Sequence, residues 1–504
     1  FTLAPTITWS NDGADGGDFL AAVATGGVPH PSGYPTYLLL GSLFAQLPVG
    51  DVAYRLNLMS AAAAAAAVGV LSLIPHRVLH PVITRPTAHL TPAWLEALVT
   101  AGVALTFAFS SILWSQAVIT EVYSLNALFV ALVWWLALRA RSDRRVQSWG
   151  LCALALGLGL GNHLSLATVL PGLLVLSWPV TYRGRKPVLR YLAVVVVMFL
   201  LGLTVYAALP IRASAAPIIN WGGADSWSGF LWLVSGRLYA PLAFGLPLAY
   251  LPGRVLAGLA LLARQVAWWG LSAVILGAWL MWRRDRQLAL SLLVATVAAF
   301  VYAVGYSTSD SYVYLLPAVV VVMIWMSLGL HDLLSTVYAW ASVERSRRRA
   351  IIRIGGSAAL CLAGLSPLLP LAVNYATVDA SHNLGAYQYG WAALEAANPR
   401  AVIVTAATRD TFVLWYFRYA SGQRPDVIVV SGPLLPFAWY TRSLAKHHPE
   451  LLLPSQGQDS AEMVADLIRN NLPQRPIYLT DPGWTIPPPL HLEKRGTLCQ
   501  VLAR

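Results

Sequence analysis

Long apolar runs separated by short polar breaks dominate this chain. Runs of about 17–25 mostly apolar residues match the length of a membrane-crossing helix. They predict helices near 53–76, 93–112, 119–140, 147–163, 164–181, 189–209, 265–282, 288–306, 313–335 and 351–373. Arginines gather in the breaks: Arg139, Arg141, Arg144 and Arg145; Arg183, Arg185, Lys186 and Arg190; Arg283, Arg284 and Arg286; Arg345, Arg347, Arg348, Arg349 and Arg353. Placing these loops in the cytoplasm, as positive residues favour, gives strict alternation. The opposite, extracytoplasmic face then receives 1–52, the 113–118 turn, the bend at Gly161-Asn162-His163, the loop 210–264, the 307–312 turn and everything beyond 373.

Two segments are too short to span, 37–49 and 251–263, and read as amphipathic pieces lying along the surface. The alanine run 61–67 suits close helix packing. Residues 1–9 read as the end of a span that starts before Phe1, so a first transmembrane helix is expected upstream. From Asn374 the pattern changes. Short apolar strands at 401–405, 427–430 and 477–480 alternate with helices at 411–419 and 462–470, which predicts a small α/β domain with a largely parallel sheet. The expected domains are 1–373, in the membrane, and 374–504, outside it. No glycine-rich phosphate loop follows these strands, so no nucleotide site is expected.

Composition sharpens this reading. Of 504 residues 57% are hydrophobic and 11% charged, against about 25% charged in soluble domains. The net charge of +12 sits mainly in the cytoplasmic loops and leaves the tail nearly neutral, so nucleic acid is not the partner. Cys152, Cys361 and Cys499 are scattered and show neither a disulfide framework nor metal-ligand spacing.

Candidate chemistry lies on the extracytoplasmic side. Asp12, Asp15 and Asp18 fall within seven residues among glycines. Asp15 and Asp18 share a face if the segment is helical, and a carboxylate near an acceptor hydroxyl can act as a general base; helix capping would also use an aspartate here. His30, in His30-Pro31-Ser32-Gly33-Tyr34-Pro35, could donate to a sugar or phosphate, or brace a rigid loop. Glu121 and Tyr123 stand at the membrane rim, where an ionisable group suggests function but Thr120-Glu121 also suits a cap. His163 follows a glycine-rich bend and points to a cavity or serves structure. Arg212 suits a phosphate, or snorkels. Asn220, Trp221, Arg237 and Tyr239 suit a sugar, and Asp310 is a ligand group or a cap.

Together these motifs are recognisable. Asp15-Gly16-Gly17-Asp18 with His30-Pro31-Ser32-Gly33-Tyr34-Pro35, the Trp114–Asn126 stretch, Gly157–His163, Leu209-Pro210-Ile211-Arg212 to Gly222 and Leu414 to Asp426 resemble a bacterial family of polytopic membrane proteins related to protein O-mannosyltransferases. The resemblance implies a GT-C glycosyltransferase fold and a polyprenyl-phosphate sugar donor, with mannose as the sugar. It implies Asp15 as general base, with Asp18 standing where the family carries Glu. The expected reaction is inverting transfer to an extracytoplasmic hydroxyl, on protein Ser or Thr, in the plasma membrane. Arg212, with His163, would neutralise the departing phosphate, so no divalent metal is expected. The C-terminal domain could dock the acceptor or a membrane-complex partner. The competing reading is a non-catalytic structural subunit built on this fold.

Overall fold

The computed structural model describes residues 1–75, 77–78, 92–143, 145–181, 185–343, 364–457 and 459–503. It is a helical bundle carrying a small sheet near its C-terminus. Among the described residues five helices are long and apolar enough to cross a membrane: Val52–Ser72, Tyr123–Asp143, Val188–Ser214, Arg286–Gly305 and Ser311–Ala339. The last of these runs through the interior, its apolar window wholly buried. A sixth candidate pairs Ala93–Ala108 with Ser111–Ala117 across a 63° bend, made where Ser110 leaves helical geometry.

The remaining expected spans are shorter helices. Val146–Leu160 stops at the Gly161 bend, and Leu170–Thr181 is preceded by a 3-10 turn. The expected 265–282 span begins only at Leu271, because Ala267 and Trp268 adopt left-handed backbone. Most of the expected span at 351–373 lies outside the described residues, and its end overlaps a helix at Leu368–Val378.

Small residues set the closest approaches. A Cβ on Gly157 would sit 2.5 Å from the carbonyl oxygen of Phe199 and 2.9 Å from the Cα of Gly202. Bare glycine at this crossing lets the Val146–Leu160 helix pack tightly on its neighbour. Ala63, Ala64 and Ala67 are likewise buried on the Val52–Ser72 helix, which packs against Tyr123–Asp143.

The C-terminal sheet has strands β1 (Val402–Thr405), β2 (Ile428–Ser431), β3 (Ile477–Leu479), β4 (His491–Arg495) and β5 (Leu498–Leu502), in the order β2-β1-β3-β5-β4. β2, β1 and β3 are parallel and fully buried, as their apolar runs require. β5 and β4 extend this sheet as an antiparallel hairpin that the sequence pattern did not suggest. Its outer strand, His-Leu-Glu-Lys-Arg, is mostly exposed and charged, a composition that protects a free sheet edge but hides the strand from a hydrophobic pattern.

This unit packs on the bundle through helix Thr408–Trp415 and the turn Tyr416–Ala420, which lie against the short helix Gly16–Thr25. The Tyr416 hydroxyl donates to Asp51 Oδ2 at 2.9 Å, and Thr6 Oγ1 donates to the same oxygen at 2.5 Å.

Candidate active site

The loops at one end of the bundle line a cavity of about 690 Å³. The first stretch of its wall, Ser10–Asp15, is irregular: Asn11 and Asp12 take left-handed backbone before the helix begins at Gly16. Asp15 is the N-cap position of that helix but makes no side-chain cap bond. Its carboxylate is 43% exposed and faces the cavity.

His30 stands beside it. The ring Nε2 lies 3.5 Å from Asp15 Oδ2, and Nδ1 lies 2.7 Å from Asp18 Oδ2. The same Asp18 oxygen accepts the His30 backbone N–H at 2.8 Å, while Asp18 Oδ1 accepts from Trp221 Nε1 at 3.1 Å. Asp18 is fully buried, and both its oxygens are occupied. The result is a line of Asp15, His30 and Asp18 in which only the first and second members reach the cavity. Aromatic rings hold the imidazole from several sides, including Phe19, Tyr34 and Phe412.

The charges are interdependent. Partial desolvation at the cavity wall raises the pKa of Asp15, and the charges of Asp310 and Asp18 push the same way, while the positive charge of His30 opposes them. Burial alone would lower the pKa of His30, but the charge of Asp15 and the hydrogen bond that His30 donates to Asp18 outweigh it and leave the pKa raised. The arrangement favours an imidazolium between two carboxyl groups.

Much of the remaining wall is tyrosine-rich. Tyr34, Tyr123, His163, Tyr302, Tyr306 and Tyr314 line it, with the His163 ring 5.2 Å from Tyr123 and 5.5 Å from Tyr314. His163 Nδ1 accepts the Ser165 backbone N–H at 3.1 Å, so the ring carries its proton on Nε2. Burial, helped by the charge of His30, lowers its pKa to about 4. His163 is therefore a neutral donor, not the cation expected beside a phosphate.

Asp15, His30, Tyr34, Tyr123, His163 and Asp310 are thus brought together on one cavity, as are Asp12 and Tyr239. Other expected residues are not. Asp18 and Trp221 lie behind the wall, where they hold His30. Glu121 is buried, and burial together with the charges of Asp15 and Asp310 raises its pKa well above the usual carboxylate range. It is absent from the cavity lining, and its carboxylate accepts the adjoining Val122 N–H at 3.4 Å. Arg212 is spent on its surroundings: Nη1 donates to Gly27 O at 3.1 Å and Nη2 to Ser42 Oγ at 2.7 Å. Asn220 holds a bridge to Val28 through its backbone. Arg237 is exposed beside Gly236, outside the lining.

The guanidinium that does reach the cavity is Arg409, which sequence reasoning missed. It lies over the Trp9 ring, with Cζ 4.0 Å from the centroid. Nothing local in Ala407-Thr408-Arg409-Asp410 signals this, because the contact joins residues 400 positions apart. Among the described residues no group of three or more His, Cys, Asp or Glu is placed to hold a metal ion.

Known proteins resemble this chain in sequence and in fold. The pattern of the protein O-mannosyl-transferase TMEM260 N-terminal domain matches residues 15–185, and that of TMEM260-associated domain 2 matches 386–460. The chain is 26% identical to protein O-mannosyl-transferase TMEM260 of Mus musculus, over 92% of this chain and 65% of the relative. It is 22% identical to the Dictyostelium discoideum protein of the same name, over 93% of this chain and 61% of the relative. The chain therefore spans somewhat under two thirds of the length of these relatives. Its fold is similar to that of ArnT from Cupriavidus metallidurans bound to undecaprenyl phosphate, with a TM-score of 0.62 at 14% identity, covering 99% of this chain and 94% of that one.

Proposed function

Since the chain belongs to the protein O-mannosyltransferase-related family of GT-C fold, we propose that it is a membrane glycosyltransferase. It moves a sugar from a polyprenyl-phosphate donor to an acceptor hydroxyl outside the cytoplasm. The observation that carries this reading is Asp15: a carboxylate without a cap bond, facing a cavity, its pKa raised and its neighbour His30 fixed in place.

In this reading Asp15 is the general base. The acceptor oxygen attacks the anomeric carbon while its proton passes to Asp15. The bond from that carbon to the phosphate oxygen breaks, and the lipid phosphate leaves with the electron pair. One base and a direct displacement invert the anomeric configuration. His30 orients Asp15 and balances its charge, and Asp18 is a positioning residue that holds His30. The tyrosine wall with the His163 Nε2–H suits a neutral hexose, whose ring stacks on aromatic faces and whose hydroxyls take up phenol and imidazole donors. Mannose is the sugar that the names of the relatives support, and protein Ser or Thr is the matching acceptor.

The test is transfer from polyprenyl-phosphate mannose by purified protein, comparing wild type with Asp15→Asn. A loss of about 10²–10⁴-fold is expected from removing a general base. Equal rates in the two proteins would refute Asp15 as base, and no transfer by either would count against this donor.

A further inference from the structure

We infer that Arg409, contributed by the C-terminal unit, is the residue that binds the phosphate of the donor; this rests on the transferase reading above. Any phosphate entering the cavity meets carboxylates at Asp12, Asp15 and Asp310, a field that repels it unless a cation is supplied. The other candidate cations are committed elsewhere or uncharged. His30 is held by Asp18 at 2.7 Å and faces Asp15, His163 accepts a backbone N–H at its Nδ1, and the Arg212 guanidinium donates to Gly27 O and Ser42 Oγ.

Arg409 differs on each count. Among the described residues it is the one Arg or Lys that lines the cavity. Its side chain is 56% exposed, and Asp410 Oδ1 lies 3.8 Å from its Nε, an ion pair too long to be a hydrogen bond. Stacking on Trp9 fixes the guanidinium without using its N–H edges. Those edges can therefore grip a phosphate through two parallel bonds. Trp9 lies only six residues before Asp15 and lines the same cavity, so one loop carries both the platform for the phosphate partner and the base.

The experiment measures polyprenyl phosphate binding to the full chain in nanodiscs, for wild type, Arg409→Ala and Arg409→Lys, with inorganic phosphate in parallel. Melting temperatures confirm that each variant is folded. Arg409→Ala should weaken polyprenyl phosphate binding about tenfold or more, the scale of losing a charge-assisted contact, and Arg409→Lys should restore part of it. Wild-type affinity retained in folded Arg409→Ala would overturn the inference while leaving the transferase reading intact. A wild-type protein that binds no polyprenyl phosphate would overturn both. Arg409-dependent binding of inorganic phosphate alone would overturn the lipid as its source.

Discussion

The Phe412 ring lies nearly parallel to the His30 imidazole, centroids 6.1 Å apart and planes within 17°. Phe412 belongs to the C-terminal unit and His30 to a loop near the N-terminus, so this contact is where the two meet behind the site. The backbones are equally close nearby: a Cβ on Gly17 would fall 2.1 Å from the Phe412 carbonyl oxygen. Gly17→Ala must therefore push helix Thr408–Trp415 away. We expect a destabilisation of about 1–3 kcal/mol with loss of transfer, checked by thermal unfolding and activity together. An unchanged melting temperature would contradict this packing.

Asp18→Asn tests the positioning role. Its amide can accept from His30 or from Trp221 but cannot serve both as the carboxylate does, so a buried donor loses its partner at a cost of about 1–3 kcal/mol. Transfer should fall less than in Asp15→Asn and show in kcat, while donor affinity holds. A defect equal to that of Asp15→Asn would place Asp18 at the reacting atoms.

The pH profile should follow from the paired charges. As the proposed base, Asp15 would act only when deprotonated, and its raised pKa should set the acid limb of kcat above the ordinary carboxylate value of about 4. His30→Gln removes the opposing positive charge, so the limb should move to higher pH in that variant. An unmoved limb would separate His30 from Asp15. Stability runs the other way. Because the pKa of His30 is raised on folding, its contribution is complete below about pH 6.5 and fades as pH climbs through the folded value. Urea midpoints against pH, compared with His30→Gln, would show it.

Arg212→Ala should cost stability rather than donor affinity, because its guanidinium ties helix Gly16–Thr25 and Ser42 together. A loss of about 1–3 kcal/mol is expected for charged hydrogen bonds. Weakened polyprenyl phosphate binding in a folded variant would return the phosphate to Arg212.

Legibility in the sequence followed locality. Asp15, His30 and Tyr34 were readable because one short stretch carries them, and His163 because a glycine bend precedes it. The apolar strands β1 to β3 were readable for the same reason. Arg409 was not, since its meaning depends on a fold that brings residue 409 over Trp9. Arg212 misled because a guanidinium near a helix end looks the same whether it awaits a ligand or is already bonded to carbonyls. Glu121 misled in a similar way, since one residue's difference decides which side of a wall a side chain faces. The Arg424-Pro425-Asp426 motif proves architectural: Arg424 Nη2 meets Asp426 Oδ2 at 2.9 Å and Asn398 O at 3.1 Å, while its Nη1 donates to Ala397 O at 3.0 Å.

The eight residues from Thr408 to Trp415 supply both a ring behind His30 and a guanidinium at the cavity. Changes in the C-terminal unit of such a protein thus reach the cavity formed by the loops of the bundle. Grafting a foreign C-terminal unit onto this bundle would exchange the anion partner and slacken the imidazole in one step. Chimeras should keep residues 9–30 and 408–415 from the same parent.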